Sequence, residues 1–123
     1  MSLPVKSLIE DVLSDLRKVG GINASAAVTR DGLLIASDVM GEIDAETFAA
    51  MTATMTGAAE TAMSEVKAGD VRRVIVEGES GKMIAIGAGS NALLVVLTAP
   101  EAPLGLILLK IGEASRRIAK LLE

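Results

Sequence analysis

The segment from Asp44 to Lys67 is the strongest constraint on how this chain can fold, because it reads as one long helix that is uncharged on two opposite sides. Asp44 is placed to cap a helix, with Ile43 before it and Phe48 after it set for a hydrophobic staple. At about 100° per residue, Phe48, Met51, Met55, Ala59, Ala62, Met63 and Val66 form an apolar stripe, expected to cover a sheet. The opposite side carries Ala50, Ala53, Thr54, Gly57 and Thr61, and no charged residue falls between Glu46 and Glu60. Gly57 inside a helix costs about 1 kcal/mol relative to Ala, so a close approach by a second helix is the expected reason for it. With 123 residues, the chain has the length of a single domain, 1–123, and little left over to cover a second helix face. Self-association through Ala50, Ala53, Thr54, Gly57 and Thr61 is therefore expected ahead of burial within one copy. The methionines read as core, although such side chains also suit adaptable partner surfaces.

The rest of the chain reads as helices and strands in an orderly sequence. Apolar residues from Leu3 to Val19 recur at helical spacing, with Pro4 suited to a first turn and Gly20-Gly21 to a stop. Asn23 to Arg30 and Leu33 to Ser37 read as two strands joined by a two-residue Asp31-Gly32 turn. Val71 to Glu77, Lys82 to Ile86 and Ala92 to Thr98 read as three more, separated by Gly78 to Gly81 and Gly87 to Asn91. Leu93 to Leu97 is apolar at consecutive positions, as expected of a central strand covered on both faces. Beyond Pro100 and Pro103, Leu104 to Leu122 repeats the helical spacing, with Arg116, Arg117 and Lys120 near its end to complement the dipole. The element order is α-β-β-α-β-β-β-α, in the α+β class, with a mostly antiparallel sheet.

The chain contains no Cys, His, Trp or Tyr and one Phe, which removes the commonest metal ligands, thiol nucleophiles, imidazole bases and base-stacking platforms together. Neither a catalytic set, nor a cofactor, nor a metal site is expected. A net charge of −4 has the wrong sign for a phosphate-backbone binder, so nucleic acid is not expected as a partner. Without cysteines a cytoplasmic location is the default. Met1 to Lys6 shows no basic segment leading into an apolar one, and no uncharged apolar run approaches roughly 18 residues, so neither secretion nor membrane insertion is expected.

Three motifs invite chemistry and are better read as turns or solvated ends. Gly87-Ala88-Gly89-Ser90-Asn91-Ala92 follows a strand as a dinucleotide fingerprint does, but a strand comes next where that fingerprint needs a helix N-terminus. Gly78-Glu79-Ser80-Gly81-Lys82 has two residues between its glycines and Met83 after the lysine, which fails the phosphate-loop spacing. Asp31, Asp38, Glu42 and Asp44 lack the alternating spacing of a calcium loop.

Val28-Thr29-Arg30-Asp31-Gly32-Leu33-Leu34-Ile35-Ala36-Ser37, Asn91-Ala92-Leu93-Leu94-Val95-Val96-Leu97 and Pro103-Leu104-Gly105-Leu106 resemble the Roadblock/dynein light chain family. The likeness covers nearly the whole chain in the right element order, closest to the prokaryotic MglB-like branch. It implies a five-stranded antiparallel sheet with the middle helix on one face and both terminal helices on the other. It also implies a homodimer paired through the middle helices and the neighbouring edge strand, which brings Val71, Arg73 and Ile75 into the interface. Prokaryotic members act with Ras-like small GTPases, so the resemblance implies a non-enzymatic regulator that binds one and modulates its nucleotide cycle. A structural adaptor of the same fold, without effect on GTP turnover, is the alternative. Nothing marks Arg30, Arg72 or Arg73 as an arginine finger, and an activator can instead reposition the GTPase's own groups.

Overall fold

Each change of hydrophobic period along the chain becomes a change of element. The order is α1 (Val5–Arg17), β1 (Ile22–Thr29), β2 (Leu34–Asp38), α2 (Ala45–Glu65), β3 (Arg73–Glu77), β4 (Lys82–Gly87), β5 (Ala92–Thr98) and α3 (Leu104–Leu121). This is the architecture of a computed structural model, which describes residues 4–123. The expected helix start at Leu3, and the Met1 to Leu3 part of the N-terminal reading, lie outside the described residues. No helix among them is long and apolar enough to cross a membrane.

The five strands form one antiparallel sheet in the order β2-β1-β5-β4-β3. β5 lies at its centre, and its alternate side chains feed two separate cores. Leu94 and Val96 join Ile9, Leu13, Ile107 and Ile118 in the core under α1 and α3, while Leu93 and Val95 join Val28 and Ala49 under α2. The consecutive apolar run of β5 thus has the two-sided burial its sequence implies.

Asp44 caps α2, its carboxylate accepting from the Glu46 and Thr47 backbone N–H groups. The far end of α2 is closed by Lys67 in the left-handed region at φ 55°, with the Ala68 N–H donating to the Met63 carbonyl at 2.9 Å. That position normally favours glycine because a Cβ there crowds the following carbonyl. Lys67→Gly is expected to raise stability by about 0.5–1 kcal/mol, the relief outweighing the added freedom of the unfolded chain. A urea midpoint that falls instead of rising would show that the unfolded chain dominates.

The β1–β2 connection differs from the two-residue turn read in the sequence. Thr29 donates to the Leu33 carbonyl at 2.8 Å and Gly32 to the Thr29 carbonyl at 3.0 Å, leaving Arg30, Asp31 and Gly32 in the loop. Gly32 has positive φ and Asp31 does not, the signature of a type I turn followed by a glycine bulge. The side chains explain the choice, because Asp31 is engaged by the Thr29 hydroxyl, which in turn accepts from the Leu33 N–H.

Candidate functional site

The two borders of the sheet are finished differently. At β2 the ladder to β1 carries an irregularity between Ala27 and Val28, the border residue Asp38 is held by Arg17 of α1, and both α1 and α2 pack against the strand. Such features discourage a further strand from adding. β3 pairs with β4 from Arg73–Ile86 to Glu77–Lys82 without interruption, and its outer side faces solvent. Gly78 donates to the Gly81 carbonyl at 2.8 Å, and hydrogen-bonded pairs alternate along an antiparallel ladder. The main-chain groups of Val74 and Val76 therefore turn toward β4, and those of Arg73, Ile75 and Glu77 turn to the open border.

α2 lies across β1 and β2 and approaches β3 near its C-terminal end, leaving a groove of about 920 Å³ bordered by Ala59, Met63, Val71, Val74 and Ile75. The helix turns a different face to the sheet from the one its long apolar residues suggest. Ala49, Thr52 and Thr56 are the buried positions, with Phe48 and Met55 packed at the margin. Met51 is 54% exposed and Val66 71%, and Met63 is exposed as well. Close approach explains this: Val28, Leu93 and Val95 rise from the sheet, so small residues let the helix axis come near. The Thr52 hydroxyl meets its buried environment by donating to the Phe48 carbonyl at 2.8 Å. The expected methionine core is thus corrected, leaving Met55 at the core's edge.

The expected contact residues fall into separate groups. Thr54, Gly57 and Thr61 lie on the exposed side of α2. Ala50 and Ala53 are half-buried, because a Cβ on Gly32 would stand 3.4 Å from the Ala50 Cα and 3.5 Å from the Ala53 Cβ. They lean on the β1–β2 turn of the same chain. Val71 borders the groove but precedes the strand, while Arg73 and Ile75 sit on β3 itself. Exposed Met63, Val66 and Val76 extend this apolar surface beyond the contact residues that the sequence implies. Their signal was present in the short strand Arg73–Glu77, charged at both ends and apolar between, but the size of the methionines pointed inward.

Charged groups around this surface hold elements in place. Arg30 pairs with Glu60 of α2 at 3.2 Å, and its guanidinium lies 3.0 Å from where a Cβ on Gly87 would stand, so glycine lets the arginine cross the end of β4. On the other face, the Arg117 guanidinium beside Asp15 holds that carboxyl below its ordinary range, aided by Lys18. Among the described residues no Asp, Glu, Lys or Arg is buried, so no general acid or base is held away from water. The acidic residues near the start of α2 have distinct partners: Asp31 the Thr29 hydroxyl, Asp38 Arg17, and Asp44 the helix N-terminus. Gly87 to Ala92 and Gly78 to Lys82 are strand-to-strand turns, as their spacing implied. The arrangement offers an open strand border and an apolar helix flank side by side.

Comparison with known proteins agrees with this architecture. Three uncharacterized proteins of Methanocaldococcus jannaschii are each 40% identical to the chain over 111 to 114 residues, covering 90 to 93% of it and 96% of each relative. Among solved structures, an MglB with a tetrameric arrangement superposes with a TM-score of 0.89 at 20% identity, covering 98% of this chain and 92% of that one. MglB of Myxococcus xanthus superposes with a TM-score of 0.88 at 25% identity, covering 99% and 92%. Residues 8–98 match the model of the Roadblock/LC7 domain, and this chain belongs to that family.

Proposed function

We propose that this protein is a cytoplasmic homodimer that docks a Ras-like small GTPase on the outer surface of its paired middle helices and modulates its nucleotide cycle. The observation that carries the proposal is the conjunction of an open β3 border with an α2 flank uncharged from Thr47 to Ala59. Pairing across β3 sets two copies of α2 beside each other and covers exposed Met63 and Val66. Thr54, Gly57 and Thr61, expected from the sequence at the contact between copies, are exposed and in this arrangement form instead a broad, nearly uncharged outward platform, which suits a protein surface better than a small ligand. With no buried titratable side chain among the described residues, such a protein acts by binding and by repositioning the GTPase's own catalytic groups.

Purified Ras-like small GTPases, starting with any encoded near this gene, are the partners to test, by pull-down and by hydrolysis and exchange rates with and without the protein. Binding with altered turnover is the expected result. Binding with unchanged turnover would establish the adaptor instead, and no binding to any of them would remove the GTPase from the proposal.

A further inference from the structure

We infer that β3 recognises its own copy through Arg73 and Glu77, which together select one antiparallel register centred on Ile75. The inference rests on the homodimer proposed above and adds what fixes its alignment. Arg73, Ile75 and Glu77 share one face of β3 and direct their main-chain groups to the open border; Val74 and Val76 share the other face. Among the described residues neither Arg73 nor Glu77 takes part in an ion pair, and both are exposed.

A two-fold axis perpendicular to the sheet keeps each face on its own side, so a residue of β3 meets one of the same face on the partner strand. Centred on Ile75, the pairing sets Arg73 opposite the partner's Glu77 and Glu77 opposite the partner's Arg73. Ile75 then meets itself, and Val74 meets the partner's Val76 beside the groove. The main-chain groups of Arg73, Ile75 and Glu77 all find partners.

The neighbouring registers do worse. Centred on Val74, the pairing sets Arg73 against Ile75 and Glu77 against Val71. Centred on Val76, it sets Glu77 against Ile75, leaving the carboxylate beside an apolar side chain. Opposite charges directly across an antiparallel pair are favourable and like charges unfavourable, so the ends of the strand act as a reciprocal key. A copy lacking this key is disfavoured, which makes Arg73 and Glu77 determinants of whom the strand accepts.

The test uses the full chain as wild type, Arg73→Glu and Glu77→Arg, with circular dichroism confirming that each folds. Each variant alone presents like charges at both ends, and its dimer dissociation constant is expected to rise about tenfold or more. Mixed in equal amounts, the two become complementary, and native mass spectrometry should find the mixed dimer well above the statistical half. If both variants dimerise like wild type and mix statistically, or if mixing restores no dimer, the register is overturned while the homodimer stands. A wild type that stays monomeric at every concentration overturns the homodimer itself.

Discussion

Ile75→Pro is expected to turn the proposed dimer into a monomer while the fold survives. The Ile75 N–H points away from β4, so a proline there removes no bond of the β3–β4 ladder, the situation in which an edge strand accepts proline. Val74 before it is already extended, the conformation a following proline enforces. In the Ile75-centred pairing, however, that N–H is donated across the axis twice, once from each copy. Each loss leaves a carbonyl without its donor and sets a ring against the opposing strand. At about 1–3 kcal/mol per unsatisfied group, the dissociation constant rises by roughly a hundredfold or more. Sedimentation velocity over a concentration series reads the assembly, and far-ultraviolet circular dichroism reads the fold. A variant that still dimerises like wild type would place the contact elsewhere than β3.

Leu94→Ala is the substitution expected to cost the fold most for its size. Leu94 is fully buried at the middle of β5, opposite Ala27 on β1 and Ile86 on β4. Its backbone is held by ladders on both sides and Ala27 is too small to fill the space, so the site cannot collapse around the lost atoms. The expected loss is about 3 kcal/mol, a large share of the 5–15 kcal/mol typical of a domain, with a fall in Tm of roughly 10 °C. Protein concentration must be held fixed in the denaturation series, since the proposed dimerisation would add to apparent stability. A loss below about 1 kcal/mol would mean that the layer under α1 and α3 repacks freely.

The fold was legible because local signals agreed with one another: Asp44 as a cap, Pro103 before α3, and five consecutive apolar residues in β5 that demand two covers. The facing of α2 was not legible from one helical wheel. Helix period identifies which residues share a side, but not which side the sheet accepts; that depends on how far Val28, Leu93 and Val95 project, a property of other segments. Ala49, Thr52 and Thr56 won the buried side because they are short, and the longer methionines were displaced outward. The same limit applies to Ala50 and Ala53, whose neighbour Gly32 lies on a hairpin loop one residue longer than the Asp31-Gly32 pair implies. On β3, the strand Arg73–Glu77 was recognisable, but its open outer side exists only once the strand order is known.

The unequal finish of the two sheet borders sets a stopping rule for assembly. In the homodimer proposed above, where the receptive margin of one molecule meets that of its twin, the enlarged sheet would end at both extremities in β2, with its irregular ladder and its tethered Asp38. Growth by strand addition is then expected to halt at two members instead of continuing into a fibre.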